Sequence, residues 1–272
     1  MTDGPPGDPT FLFEVMRGSV RTARFAGGSV ASFSERCPGK ERANEDAAAA
    51  IPLGEATGLL VVADGLGGQP GADQASGLTV RRLARILDEV RAGGGDPVAA
   101  VLHGLEEANQ AVEALGVGAG TTLAAALLDG SEVRSFHVGD STVLVVDERG
   151  ATKLHTIPHS PIGYALEAGL VTEEEALRHP DRHIISNMVG SPEMRVDMGA
   201  SLRLERGDTL LLASDGVTDN LYRVELIELV RSGSLERAAE ELADLCRSRM
   251  ADESGESPSK PDDATFLIYR RD

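Results

Sequence analysis

The 272-residue chain predicts an α+β protein: a four-layer α/β/β/α sandwich of two antiparallel sheets flanked by helix pairs. Three observations carry this reading. Strand and helix patterns come in blocks, in the order strands, two helices, many strands, two helices, one strand. That order lacks the strand–helix alternation of a doubly wound parallel sheet. Hydrophobic residues make up 41% of the chain, enough for a sizeable core, and with Trp absent and aromatics at 3% the core is built from Val, Leu, Ile and Ala.

Each element has its own signal. Residues 1–10 are acidic and rich in Pro and Gly, and read as disordered. The alternation in Ser19–Phe25 reads as a half-buried strand. Ala47–Ile51 and Gly58–Ala63 read as strands around a turn at Pro52–Thr57. The second, continuously apolar, is expected to be buried on both faces. Leu78, Leu83, Ile86, Leu87 and Val90 recur at helical spacing until Gly93-Gly94-Gly95 ends the helix. Asp96-Pro97 caps and opens a second helix with Val98, Val101, Leu102, Leu105, Ala108, Val112 and Leu115 on one face. Strands follow at Thr121–Leu128, Glu132–Val138 and Thr142–Asp147, punctuated by turns at Asp129-Gly130 and Arg149-Gly150. The pattern breaks up from His155 to Arg182, except for a capping-box start at Thr172–Glu175. Strands return near Arg195–Leu204 and at Thr209–Ala213, helices at Val224–Arg231 and Leu235–Met250. Ala251–Pro261 reads as an exposed loop, and Ala264–Tyr269 as the closing strand.

The net charge of −18 disfavours nucleic acid and anionic membranes as partners. Cys37 and Cys246 stand far apart, outside any C-x-x-C or Cys/His cluster, so neither zinc nor a disulfide framework is expected. The N-terminus lacks a basic and apolar leader, and no apolar run approaches ~20 residues. A reducing, cytoplasmic setting is the expectation.

The chemistry lies in five acidic segments: Asn44–Ala47 (N-E-D-A), Val61–Gly68 (V-V-A-D-G-L-G-G), His137–Ser141 (H-V-G-D-S), Leu211–Gly216 (L-L-A-S-D-G) and Pro261–Thr265 (P-D-D-A-T). Four of the five place Asp at the end or start of an apolar run, so the carboxylate can hang from a strand end into a shared cleft. Taken singly, Asp64, Asp140, Asp215, Asp262 and Asp263 also fit ordinary turns or acidic loops. Carboxylates gathered in one cleft repel unless a cation sits between them. Oxygen donors of this kind suit Mg2+ or Mn2+. The glycines after Asp64 let backbone carbonyls approach a ligand.

In order along the chain, R-x-N-E-D-A, V-V-A-D-G-L-G-G, G-T-T at Gly120–Thr122, H-V-G-D-S, L-L-A-S-D-G-V-T-D and D-D-A-T resemble the motifs of the metal-dependent PPM (type 2C) Ser/Thr protein phosphatases of the bacterial branch. His159-Ser160 and the stretch from Glu167 to Pro180 resemble that branch's flap. The resemblance spans about Ser29 to Tyr269. It implies a type 2C phosphatase-like fold with an N-terminal extension at 1–28, partly disordered. One phosphatase domain at 29–270 then follows, with its flap at about 155–185.

It further implies hydrolysis of phosphoserine and phosphothreonine on proteins by attack of a metal-bridging hydroxide. The cofactors it implies are two Mn2+ or Mg2+ ions, with room for a third. Asp64 would bridge two ions, with the Gly65 carbonyl on one. Asp215 and Asp262 would complete the other ion's shell, and Asp140 would join Asp215 on a third. Glu45 would hold a metal-bound water, and Asp46 a water or an ion directly. Asp64, Asp215 and the phosphate-binding Arg42 form the expected catalytic group. Phosphorylated proteins, and a Ser/Thr kinase acting on the same targets, are the implied partners, with no nucleic acid or membrane; a monomer is expected. Two rival readings are a catalytically weak regulatory or binding module of this fold and a narrow phosphatase for an anti-sigma antagonist.

The chain departs from the family pattern at four places. Leu66 stands where eukaryotic members carry His. The Arg expected four residues before Glu45 falls on Glu41, between Lys40 and Arg42. Asp263 replaces an Asn, and Pro158 an Asp. Thr121 and Thr122 are expected to pack, and the histidines to be structural or solvated.

Overall fold

The structure is a computed structural model that describes residues 8–67, 70–116, 118–252 and 254–272. Gly68, and the first seven residues of the stretch expected to be disordered, lie outside the described residues.

The first sheet holds β1 (Thr10–Phe13), β4 (Asp46–Pro52), β5 (Thr57–Asp64), β6 (Leu123–Asp129), β7 (Glu132–Val138) and β10 (Asp197–Met198), in that spatial order. The short β11 (Leu202–Arg203) also pairs with β7. The second sheet runs β2 (Arg21–Phe25), β3 (Gly28–Glu35), β13 (Ala264–Arg271), β12 (Thr209–Ala213), β8 (Thr142–Val146) and β9 (Thr152–His155). Every named strand pairing is antiparallel.

Period-2 side-chain alternation builds the layers. On β4 and β5, Ala47, Ala49, Ile51, Leu59, Val61 and Ala63 face helices α1 (Ala72–Gly93) and α2 (Pro97–Glu113). The alternate residues Ala48, Ala50, Leu60 and Val62 face the other sheet, against Val143, Val145, Leu210, Leu212 and Leu267. The opposite face of that second sheet, with Phe33, Leu144, Leu211 and Phe266, packs on α5 (Asp215–Thr218), α6 (Arg223–Val230) and α7 (Leu235–Met250). Three apolar layers thus separate four layers of secondary structure, as the sequence predicts. Between β9 and β10 stand two short helices, α3 (Pro161–Glu167) and α4 (Glu173–Leu177).

Local chemistry sets the boundaries. The Asp96 side chain accepts from the Val98 N–H at 3.0 Å, with Pro97 in the first turn of α2. Thr172 and Glu175 form the expected capping box of α4. Asn109 on α2 accepts from the Gly190 N–H at 2.6 Å and donates to the Ser191 carbonyl at 3.0 Å, fastening the loop after α4 to the helix layer.

Residues 10–25 carry two strands. Thr10–Phe13 pairs with Ala47–Ala50 and Arg21–Phe25 with Gly28–Ser32, so this stretch supplies an edge strand to each sheet. Thr10 itself is in β1, inside the segment expected to be disordered. Further differences are β9 and α3, in a stretch whose sequence pattern is broken. Both are short, and α3 is opened by Ser160 and Pro161 rather than by an apolar period. No helix among the described residues is long and apolar enough to cross a membrane.

Candidate active site

All the acidic segments meet at one end of the sandwich, because antiparallel strands deliver alternate chain ends there. Asp46 opens β4 and Asp64 closes β5, and the two are direct cross-strand partners. Asp140 sits in the turn from β7 to β8, Asp215 follows β12 as the first residue of α5, and Asp262 precedes β13. The first sheet therefore supplies Asp46 and Asp64, and the second Asp215 and Asp262.

Two glycines allow this convergence. A Cβ on Gly65 would lie 2.3 Å from the Ala72 carbonyl oxygen, and one on Gly216 only 1.8 Å from that of Asp263. Backbone thus packs on backbone directly beside Asp64 and Asp215. The Gly65 N–H donates to the Glu45 carbonyl at 3.1 Å, joining the N-E-D-A and A-D-G segments.

Asp64 is positioned by its main chain. Its N–H donates to Thr122 Oγ1 at 3.1 Å, and its carbonyl accepts from Thr121 Oγ1 at 2.7 Å and the Thr122 N–H at 2.8 Å. The G-T-T threonines, expected only to pack, also hold this strand end. Asp46 is buried: its N–H donates to Asn44 Oδ1 and its Oδ2 accepts from Ser214 Oγ, each at 2.8 Å. Its Oδ1 is buried with no hydrogen-bond partner among the described residues.

The electrostatics of the cluster follow. Burial, then the charge of Asp263, pushes the Asp46 carboxyl up to about 8. Burial, followed by the charges of Asp46, Asp215, Asp262 and Asp140, holds Asp64 well above the usual carboxylate range. Burial and Asp215 raise Asp140 likewise. Burial and Asp215 also push Asp262 up to about 6. Asp215 is the exception: burial raises it, but the Lys260 ammonium more than offsets this and holds it below its ordinary value.

Two lysines stand among these acids. Lys40 Nζ lies 2.7 Å from Glu45 Oε2 and 2.5 Å from Asp263 Oδ2. Asp263 Oδ2 also accepts from the Glu45 N–H at 2.7 Å, and its Oδ1 from the Cys37 N–H at 2.7 Å. The extra charge brought by Asp263 in place of Asn is thus matched by Lys40. Lys260 Nζ pairs with Asp215, with Asp219 at 2.9 Å and with Asp262 at 3.4 Å. Arg42 is exposed on the loop before β4, and its carbonyl accepts from Arg36 Nη1 at 3.3 Å.

Sequence reasoning missed Lys260, Asp219 and Ser214. Asp219 was visible only as the last letter of S-D-G-V-T-D. Lys260 lies in a polar loop with no periodic signal, 45 residues from Asp215.

Beside the cluster, a cavity of about 270 Å3 opens under α3 and α4. Ile157, Ile162, Leu166, Leu177 and Leu226 form its apolar walls; Asp140, Asp215, Asp219 and Arg182 line the end nearest the acids. Arg182 Nε stands 3.8 Å from Asp219.

A different cluster, His137, His159 and Asp197, has ligand atoms within 4.8 Å of one another. It is not suited to a metal. His159 Nδ1 accepts from the Gly139 N–H at 3.1 Å and from Asn187 Nδ2 at 2.8 Å. The Asn187 amide is oriented by Arg195, whose N–H donates to its Oδ1 at 3.0 Å. The His159 proton therefore sits on Nε2, facing Asp197 at 3.1 Å, and leaves no lone pair there for an ion. These groups join the start and end of the 155–185 segment to the first sheet, consistent with a structural role for the histidines.

The sequence profile of protein phosphatase 2C matches residues 36–253 of the chain. The chain belongs to that family. Its resemblance to protein phosphatase PhpP of Streptococcus pneumoniae is 33% identity over 181 residues, 64% of this chain and 73% of the relative. The crystal structure of the Mycobacterium tuberculosis serine/threonine phosphatase PstP/Ppp superposes with a TM-score of 0.72 at 26% identity, covering 92% of this chain and 98% of that one. The catalytic domain of PstP in complex with two manganese ions gives a TM-score of 0.71 at 25% identity, over 92% and 97% of the chains. The protein is a metal-dependent serine/threonine protein phosphatase of the bacterial PPM type, acting on phosphoproteins.

The residues at this centre fit the divalent cations that the family uses. The donors are hard oxygens. A buried carboxylate oxygen has no partner among the described residues, and neighbouring acids push one another's proton affinity up, as expected where a cation is needed for balance.

Proposed function

We propose that this centre removes phosphate from phosphoserine and phosphothreonine with Mn2+ or Mg2+ held by Asp46, Asp64, the Gly65 carbonyl, Asp215 and Asp262. Asp140 offers a position for a third ion, and Glu45 a hydrogen-bond acceptor for a coordinated water. The observation that carries this reading is the orphaned Asp46 Oδ1 directly across the strand pair from Asp64. When bound, the ions acidify water and neutralise phosphoryl oxygens.

The protein's own groups orient the rest. Thr121 and Thr122 fix the Asp64 main chain, Ser214 fixes one oxygen of Asp46, and Lys40 neutralises Glu45 and Asp263. Because Lys40 is already engaged, the cation that receives substrate phosphate is Arg42, whose exposed guanidinium can present a two-pronged fork. Leu66 cannot donate a proton, so the alkoxide leaving group takes its proton from water. We further infer a single phosphatase domain that includes β1 and β2, with its flap at about 155–185. We place it as a cytoplasmic monomer opposing a Ser/Thr kinase on shared protein targets. The net charge of −18 supports excluding nucleic acid and anionic membranes as partners.

The test is hydrolysis of p-nitrophenyl phosphate and a phosphothreonine peptide with Mn2+, Mg2+ or EDTA, by the wild type and Asp215→Asn. Activity with either ion and none in EDTA or in the variant is expected. Turnover that survives EDTA or the substitution refutes the assignment.

A further inference from the structure

The chain contains three lysines, Lys40, Lys153 and Lys260; its other basic side chains, histidine aside, are arginine. Two of the three stand in the acid centre, each paired with more than one carboxylate. Lys260 is held there by the fold. Its N–H donates to Asn220 Oδ1 and its carbonyl accepts from Asn220 Nδ2, each at 2.8 Å. Asn220 is fully buried, and its Nδ2 also donates to the Gly216 carbonyl at 2.8 Å, which ties the Lys260 loop to the turn that presents Asp215. From this anchor Lys260 Nζ reaches Asp215, Asp219 and Asp262, and the Lys260 side chain is 17% exposed.

We propose that Lys260 is an internal counter-ion that a divalent cation must displace from Asp215, Asp219 and Asp262. The inference rests on the reading of Asp215 and Asp262 as metal ligands. Its physical content is a competition. Without an ion, the ammonium keeps three carboxylates together that would otherwise repel. An entering ion breaks three ion pairs before it gains its oxygens, so the lysine weakens binding at that position and sets how much free metal the enzyme needs. Lys260 Nζ contacts Asp215, Asp219 and Asp262 together, so the internal cation serves the Asp215 side of the cluster.

Calorimetric titration of the full chain with Mn2+ tests this in the wild type, Lys260→Gln and Asp64→Asn. Lys260→Gln should bind its weakest ion about tenfold more tightly, or one more ion per chain, and should melt lower than the wild type in EDTA. An isotherm indistinguishable from the wild type overturns the role of Lys260 and leaves the ligand assignment standing. A wild type that binds no Mn2+, or an Asp64→Asn variant that binds it equally well, overturns the ligand assignment and the Lys260 role with it. Should Lys260→Gln fail to fold, amine acetylation of the wild type read by mass spectrometry decides. Mn2+ should raise labelling of Lys260 several-fold while Lys153, paired with Asp208, serves as the reference. Lys260 labelling that Mn2+ leaves unchanged overturns the proposal.

Discussion

Asp46 and Asp64 face each other as direct partners in the β4–β5 ladder, two carboxylates at one rung of an otherwise apolar strand pair. Like charges directly opposite on neighbouring strands are destabilising. The arrangement costs the metal-free fold stability and readies it for a cation.

Replacing Asp64 separates those two effects. Asp64→Asn should lower phosphopeptide turnover by ~100-fold or more, as loss of a metal-holding group does. In EDTA the same variant should melt no lower than the wild type, because a buried like-charge contact is gone. Steady-state kinetics and thermal melts with and without Mn2+ check both halves.

The metal-free chain should lose stability as pH rises from about 4 to about 8. Asp46 and Asp262 hold their protons up to about 8 and about 6 in the fold, against 3.8 ordinarily. Their contribution is therefore fully present below pH 3.8 and is lost as pH climbs through the folded values. Melting temperature in EDTA should fall across this window by on the order of 5 °C. Saturating Mn2+ should flatten the profile. A melt series at pH 5, 6.5 and 8 measures it.

Gly216→Ala should destabilise the protein by ~3 kcal/mol, because a Cβ there has no room to relax. Its neighbour is the Asp263 carbonyl oxygen at 1.8 Å, main chain rather than a flexible side chain. Chemical denaturation of the metal-free variant gives the value, and Mn2+ titration should show weakened binding as Asp215 moves.

Arg42 and Lys40 should respond in opposite ways. Arg42→Ala removes an exposed side chain, so KM for a phosphothreonine peptide should rise about tenfold with the melting temperature unchanged. Lys40→Met leaves the buried Asp263 and Glu45 without their partner, and should cost roughly 3 kcal/mol of stability. Parallel kinetics and melts distinguish the phosphate-binding cation from the structural one.

Most of the architecture is legible in the sequence because it rests on long periodic segments. Ala47–Ile51, Leu59–Ala63, Leu210–Ala213, α2, α6 and α7 fall within a residue or two of their predicted places, and α1 ends where predicted but begins at Ala72, before its first marked residue Leu78. The edge strands β1 and β9 are four residues each, too short for periodicity to mark. The carboxylates are legible because each ends or opens an apolar run. Lys260 and Asn220 are not: their meeting depends on how the loop after α7 folds back over α5. Neither carries a local pattern that announces it. The His159–Asn187–Asp197 connection is hidden for the same reason, being made of single polar residues brought together only by the fold.

The acids come from both sheets: Asp46 and Asp64 from one, Asp215 and Asp262 from the other. An ion shared by them would act as a rivet through the seam of the sandwich. Chelation should then loosen more than the catalytic cleft. Amide exchange should quicken together along β4, β5, β12 and β13, and proteases should find the sheets easier to part. In a cell, metal scarcity would be felt as shorter protein lifetime as well as slower dephosphorylation.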